Sequence, residues 1–476
     1  MRRMPLWGKA PVVLALALIG VLSVDSIRLR LQGALVASIN SSIALISSEL
    51  RNLSTPFGLE PVAGALDPLA LLKAASIEEE IVRETRWLIA CQMRDGAIAQ
   101  TPLGDKIVPY FANFAAKTLV DIEPERARSY MTWYLDHLNR PDRFGLAGTV
   151  YDYELSAQGW LPTLNYDSAD SYAATFLSLA SYYLTRTGDH DFIESNLADI
   201  DLVAGVLLAL QDTDGLTFVA PGSGTKYLMD NCEVYRGLMD WAEALLVLGR
   251  PEDASRMVLA AENVRLGIEH VFYSAYRGQY AHTVSWYGKR YPKPGKWYPD
   301  AVSQLYVITE GVLRTDDQRA YRIWSNFNEQ FPAWSECGAY DGFPWAKIAL
   351  ASVKMRDTDR AGQFLAWVAE EFGRRARPYP WYVLESAHIL DLYGAMYLTS
   401  SDADPEANLE TDSEASPESN PEANLEASLE QGGQSSPETP EVSRSRPRRP
   451  ILDEHVALPS LIQPAISYRV SRYPAS

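Results

Sequence analysis

Cysteine and histidine are scarce in this chain, with three of the first and six of the second among 476 residues. Cys91, Cys232 and Cys337 are odd in number and widely spaced, so they spell out no disulfide framework and no zinc pattern. At most one bridge can form, and buried free thiols are the simpler expectation. The histidines make no HExxH and no pair at helical spacing, which leaves metal catalysis without support. No metal ligand and no cofactor is assigned. A basic face is missing as well. The net charge of −18 is unevenly held: residues 401–442 carry twelve acidic side chains and no Lys or Arg, and residues 443–476 carry six Arg against two acids. The remaining body is mildly acidic, and nucleic-acid binding, which needs phosphate neutralisation, is not expected.

The two ends differ from the middle. Arg2, Arg3 and Lys9 precede the apolar run Val12–Val24, the layout of an export signal. That run is shorter than the ~20 residues that span a bilayer, so residues 1–24 are assigned as a signal peptide, with an uncleaved N-terminal anchor as the alternative. Either places the protein outside the cytoplasm, secreted or tethered. Residues 25–62 carry no functional reading. Residues 401–450 repeat Pro-Glu-Ala-Asn-Leu-Glu at 405–410 and 421–426 and hold no aromatic residue. A segment of this kind buries too little apolar surface to offset chain entropy and is expected to be a disordered linker. Residues 451–476 regain Leu, Ile and Tyr and form a C-terminal tail.

Between the ends, 63–400 reads as one all-α domain of twelve helices, near 77–91, 109–120, 124–139, 169–187, 190–211, 231–249, 252–270, 300–313, 316–330, 344–356, 358–376 and 381–399. Strand alternation is expected only as a hairpin within 276–297. Odd and even helices differ in kind. The seventh sets Val258, Ala261, Val264 and Ile268 against Glu252, Asp253, Arg256, Glu262, Arg265 and Glu269, one apolar stripe with a solvated back. The fourth is apolar almost all round, from Tyr172 through Phe176 and Leu179 to Tyr183. Alternating outer and inner helices are what a double ring, an (α/α)6 toroid, requires. Even-to-odd joins are tight, as at Gly188–Asp189. The odd-to-even joins 141–167, 212–229 and 271–299 are long and aromatic, and long loops in a compact domain are usually functional.

One rim therefore gathers the starts of the inner helices. Tyr166-Asp167-Ser168-Ala169-Asp170-Ser171-Tyr172 opens the fourth, and Lys226-Tyr227-Leu228-Met229-Asp230-Asn231-Cys232-Glu233 opens the sixth. Trp297-Tyr298-Pro299-Asp300 opens the eighth, Pro344-Trp345 the tenth, and Trp381 stands at the twelfth with Glu385 one turn inside. Asp152 lies in the long loop before the fourth. The plain reading of each carboxylate is a helix cap, and Asp230 with Glu233 resembles a capping box. Capping alone does not account for aromatic residues on inner starts and plain ones on outer starts. Sugars do: a pyranose stacks an apolar face on Tyr or Trp and offers hydroxyls to Asp, Asn, Glu and Lys. Glycoside cleavage then needs one carboxylic acid for the leaving oxygen and a second carboxylate to activate water or attack. The candidate catalytic pool is Asp170, Asp230, Glu233, Asp167 and Asp300. The more buried members, Asp170 or Glu233, are expected to be the acid. Candidate sugar contacts are Tyr110, Asp152, Tyr166, Tyr172, Lys226, Tyr227, Asn231, Trp297, Tyr298, Trp345, Trp381 and Glu385.

These motifs, together with Val108-Pro109-Tyr110-Phe111-Ala112-Asn113-Phe114, resemble bacterial members of the six-hairpin glycosidase superfamily without a settled substrate, over residues 77–399. The resemblance implies an (α/α)6 toroid with paired Asp or Glu at the N-terminal ends of the inner helices. It matches no signature that separates acid from base. The function expected is a glycoside hydrolase acting on an extracytoplasmic poly- or oligosaccharide. The alternative is a non-catalytic carbohydrate-binding or scaffolding protein at the cell surface. Epimerases of this fold resemble one another in using inner-helix histidines, and His388 alone sits on an inner helix. An acidic rim disfavours lyase action on uronates. An export signal and an open aromatic rim disfavour a terpene cyclase.

Overall fold

The computed structural model describes residues 68–337 and 343–401, all within one compact unit. The segments assigned above to 1–24, 25–62, 401–450 and 451–476 lie outside the described residues, Ser401 excepted. The order opens with α1 (Pro68–Ala90), β1 (Lys106–Ile107), α2 (Pro109–Ile122), α3 (Pro124–Asp136), β2 (Tyr153–Ser156), β3 (Gly159–Pro162) and α4 (Ala169–Thr187). It continues with α5 (His190–Ser195), α6 (Leu197–Leu210), β4 (Thr225–Tyr227), α7 (Leu228–Val247), α8 (Pro251–Gly267), β5 (Tyr273–Ser274) and β6 (Gln279–Tyr280). It closes with β7 (Thr283–Ser285), β8 (Gly288–Arg290), α9 (Val302–Thr309), α10 (Gln318–Gln330), α11 (Trp334–Cys337), α12 (Ala346–Lys354), α13 (Thr358–Val368) and α14 (Val383–Ser401).

Helices α2, α4, α7, α9, α12 and α14 form an inner ring in which each packs on the next and α14 returns onto α2. Helices α1, α3, α6, α8, α10 and α13 lie outside, each against one or two inner helices. The sequence pattern explains the two layers. On α8, Val258, Ala261 and Val264 are buried while Glu252 and Arg256 are exposed, so one stripe is covered. On α4, every residue from Ala169 to Ser181 is buried. The fifth expected helix is divided at Asn196, whose side-chain amide donates to the Phe192 carbonyl and ends α5. The expected hairpin region, 276–297, holds β6, β7 and β8, with β7–β8 a hairpin, while β5 precedes it and pairs with β6. A second hairpin, β2–β3, was not expected, because four residues of alternation ending in Pro162 are too short to separate from a loop. It pairs Tyr153 with Pro162, and β1 joins its edge. Among the described residues, no helix is long and apolar enough to cross a membrane.

Two outer-to-inner corners repeat one device. Gln92-Met93-Arg94-Asp95-Gly96 and Gln211-Asp212-Thr213-Asp214-Gly215 follow α1 and α6. Each glutamine amide donates to its own turn and to the next outer helix. Gln92 reaches Gly96 O at 3.2 Å and Arg126 O at 2.8 Å; Gln211 reaches Gly215 O at 2.8 Å and Ala260 O at 2.9 Å. Both glycines have positive φ, and a Cβ there would lie 2.3 Å from Ser129 O or 2.1 Å from Asn263 O. Backbone therefore packs on backbone, and glycine is required. The first and last hairpins are joined by a buried ion pair. Arg377 donates through Nε and Nη2 to Glu84, which also accepts from Ser386 at 2.8 Å, and Ser386 accepts from Trp381 Nε1 at 2.8 Å.

Inner helices α4 and α7 pack backbone to backbone, since a Cβ on Gly237 would stand 2.4 Å from the Ala174 carbonyl. Asp240 ties the same pair by accepting from Ser178 at 2.8 Å. Gly237→Ala is expected to destabilise the domain by about 1–3 kcal/mol through overpacking, read as a lower urea midpoint. An unchanged midpoint would mean that the two helices separate freely.

Candidate active site

Five of the six inner helices, α2, α4, α7, α9 and α12, begin without a side-chain cap. Val108, Ser168, Tyr227, Ala301 and Trp345 are the N-cap residues of α2, α4, α7, α9 and α12, and none makes a capping hydrogen bond. On the outer layer, Asp189 and Asp317 cap α5 and α10, while α3, α6, α8 and α13 likewise lack a side-chain cap. The capping-box reading of Asp230 and Glu233 is thereby corrected: both lie inside α7, past its cap at Tyr227. Their carboxyls are directed to neighbouring helices instead.

Asp170, in the first turn of α4, is fully buried. Its Oδ1 accepts from Ser168 Oγ at 2.7 Å and from the Ser171 amide at 3.0 Å, and its Oδ2 accepts from Thr217 Oγ1 at 2.7 Å. Thr217 is held in turn by Asn231, whose Oδ1 accepts the Thr217 amide at 2.8 Å. Ser168 Oγ also lies 2.6 Å from Asp230 Oδ2. Asp230 is ringed by protein yet keeps part of its surface open to solvent. Burial raises the pKa of both aspartates, and the charge of Asp170 raises Asp230 further, well above the usual carboxylate range.

One turn along α7, Glu233 is buried and accepts from Tyr110 Oη at 2.6 Å. Lys347 of α12 reaches it at 3.2 Å and Glu310 at 2.8 Å, with the ammonium 4.2 Å from the Tyr306 ring centre and 5.0 Å from that of Phe114. The two glutamates share the cation unequally. Burial alone would raise Glu310, but the charge and hydrogen bond of Lys347 outweigh it and hold that carboxyl at about 2. Burial raises Glu233, and Lys347 offsets this only in part because Glu310 adds a like charge beside it. Neither Lys347 nor Glu310 was expected from the sequence. The visible signal was a lysine set among Ala346, Ile348 and Ala349 on an inner helix.

Asp152, half-buried in the loop before β2, accepts from Tyr172 Oη at 2.9 Å, and burial raises its pKa to about 7. Asp167 is exposed between Asp152 and Asp230, close enough for its charge to raise both. Beside these carboxyls, aromatic rings form a continuous arc. Tyr298 meets Trp345 at 4.8 Å, Trp345 meets Phe343 at 5.3 Å, and Phe343 meets Tyr382 at 5.8 Å. Phe111, Tyr110 and Tyr172 continue it at spacings of 5.8, 5.8 and 6.0 Å. Trp345 has φ +58° and ψ +49°, uncommon for a bulky residue. Phe343 and Tyr382 were not expected. Tyr227 is half-buried beside Asp230.

Several expected contacts are placed elsewhere. Lys226 is buried beneath its loop, 2.7 Å from both Asp212 and Asp214, so it clamps the loop and is not free for a ligand. Asn231 is fully buried and pins Thr217 and the Tyr227 carbonyl. Trp297 packs backwards on Phe327 and Phe331 of the outer layer, and Trp381 is core beside Phe372. Tyr166 is buried and donates to Asp142, and Glu385 is buried and accepts the Ala346 amide that starts α12. Asp300 is buried against the Lys293 amide and Lys296, apart from the Asp170–Asp230 group. His388 is buried edge-on to Phe114, and burial lowers its pKa. Among the described residues, no group of three or more His, Cys, Asp or Glu is arranged to hold a metal ion.

Lys347→Met leaves Glu233 and Glu310 buried without their ammonium, and a loss of about 3–5 kcal/mol is expected, measured by urea unfolding. Glu310 has its pKa depressed from 4.5 to about 2 on folding. The contribution of the pair is therefore full above the ordinary carboxylate range and is lost as pH falls through about 2. A parent and variant of equal stability at neutral pH would overturn this account.

No family model and no curated protein matches the chain. Solved structures do. A wild-type glycosidase aligns over 70% of this chain and 100% of its own, with 14% identity and a TM-score of 0.52. A glycosidase variant in complex with glucose aligns over the same shares, with 15% identity and a TM-score of 0.50. What the chain shares with these proteins is their fold, which here is the (α/α)6 double ring of helices described above.

Proposed function

We propose that the chain is a glycoside hydrolase acting on a poly- or oligosaccharide, with Asp230 as proton donor and Asp167 as the solvent-facing carboxylate that serves as base or nucleophile. The observation that carries this reading is the Asp230 carboxyl, whose pKa burial and the Asp170 charge raise well above the usual carboxylate range, and which keeps part of its surface open to solvent. An acid for a leaving glycosidic oxygen needs both properties. Asp152, with a pKa raised to about 7, is the second candidate for the acid. The aromatic arc supplies faces for sugar rings, and the likeness to a glycosidase holding glucose supports a sugar as the ligand.

A non-catalytic sugar-binding role has its own observation. Glu233 and Asp170 are buried and committed to protein partners, which leaves fewer carboxyls at the cleft than the sequence pool offered.

The test is reducing-end release over a panel of bacterial and plant polysaccharides. Asp230→Asn is expected to lower kcat by about 10²- to 10⁴-fold with little change in KM. Asp167→Ala should lose activity that azide restores if Asp167 attacks or activates water. Parental rates in both variants would overturn the assignment. Silence of the parent with glycan binding by calorimetry would favour the binding role.

We further propose that the protein works outside the cytoplasm, on the strength of the Val12–Val24 segment. Protein exported from a bacterial host should begin near residue 24 on N-terminal sequencing. Retention in the membrane fraction with Met1 intact would indicate an anchor, and recovery from the cytoplasm would overturn the proposal.

A further inference from the structure

The contacts of Ser168 pose a problem of hydrogen counting. Its Oγ lies 2.7 Å from Asp170 Oδ1 and 2.6 Å from Asp230 Oδ2, and both separations are hydrogen-bond distances. A serine hydroxyl carries one hydrogen. If both carboxyls were ionised, one of these contacts would press two lone-pair oxygens together in a buried site. The arrangement is satisfied only when one carboxyl carries a proton and donates it to Ser168. The remaining partners decide which. Asp170 already accepts from Thr217 Oγ1 and the Ser171 amide at the start of a helix, where an anion is favoured. Asp230 has Ser168 as its hydrogen-bond partner and stands among like charges.

We infer that Asp170, Ser168 and Asp230 form one proton-sharing unit, in which Ser168 accepts the Asp230 proton and donates its own hydrogen to the Asp170 carboxylate. Ser168 and Asp170 are then positioning residues, and Asp230 is the member that keeps surface open to solvent. Its use in catalysis rests on the hydrolase reading above; the proton count does not. The groups around Asp230 act in the same sense. Asp167 from the loop before α4 and Glu233 from the next turn of α7 oppose its ionisation. The phenols Tyr227 from β4 and Tyr110 from α2, and the Cys232 thiol, also face it. Lys347 of α12 lies behind Glu233 and is bonded to Glu310.

A shared hydroxyl has a distinctive signature. With one proton in the unit, Ser168 makes two good hydrogen bonds; with none, it donates to one anion and leaves the other bare. Ser168 therefore stabilises the singly protonated state, and it pushes the two titration steps of the pair apart. In Ser168→Ala the upper midpoint should fall and the lower should rise, each by about one pH unit for a charge-assisted bond. Ser168→Thr keeps the hydroxyl and should retain the parental midpoints. Thr217→Val removes a donor from Asp170 alone, so the lower midpoint should rise with the upper unmoved; it also serves as the second test if Ser168→Ala fails to fold.

The measurement is a carbon-13 NMR titration of the full-length protein labelled at aspartate Cγ, with signals assigned from Asp170→Asn and Asp230→Asn. Convergent midpoints in Ser168→Ala establish the unit. Midpoints that stay put, or that move together in one direction as a change of solvation would move them, overturn it. No substrate enters the experiment, so a silent sugar panel leaves the inference standing, and an active enzyme with unmoved midpoints refutes it alone.

Discussion

A single buried ammonium holds the centre of this molecule. Lys347 rises from α12, pairs with Glu310 at the end of α9 and Glu233 on α7, and lies over rings from α9 and α2. Four of the six inner helices meet at this charge. Taking an ammonium and two carboxylates out of water costs several kcal/mol per ion, and the cost is offset only if the geometry of the pairs is good. The ring must therefore close with these helices in register, or leave uncompensated charge in its interior. The outer layer serves the same closure: the Gln92 and Gln211 corners set the spacing of successive hairpins, and Arg377 with Glu84 joins the last to the first.

The same construction makes the mouth of the ring chemically uneven. Inner-helix N-termini converge there, five of the six without side-chain caps, so their first-turn carboxyls answer to neighbouring helices and loops. Asp170 is stabilised as an anion by two hydroxyls and an amide. Asp230 faces it across Ser168 and bears the cost of two like charges in a small space. Burial thus raises two carboxyls sixty residues apart in the chain, and the charge of Asp170 raises Asp230 further, an inequality of the kind that divides acid from base work. The aromatic arc from Tyr298 to Tyr172 reaches these groups directly, since its Tyr110 and Tyr172 donate to Glu233 and Asp152.

Much of this was legible in the residues. The 3.6-residue periodicity and the contrast between α8 and α4 followed from burying one stripe or the whole circumference. The alternation of tight and long joins put the starts of the inner helices on one rim, where Asp170 and Asp230 meet at Ser168. The Gln-x-x-Asp-Gly repeat at 92–96 and 211–215 was also visible and went unread, because its meaning depends on the carbonyl of the next outer helix. The hairpin β2–β3 was too short to show a period. The residue-level site was less legible. Trp297, Trp381, Lys226 and Asn231 have the composition of sugar contacts, yet they face the outer layer, the core or their own loops. A side chain near a helix start can point to either layer, and a turn of about 100° per residue decides which.

The sequence by itself determined the helical double ring, the rim that gathers the carboxyls, and the contrast between the body and the two ends, because each depends on local periodicity and composition. Tertiary structure alone decided which of those carboxyls are solvent-facing, which share Ser168 and which share Lys347. Those assignments rest on distances between groups far apart in the chain, and on how much water each group keeps once the ring has closed.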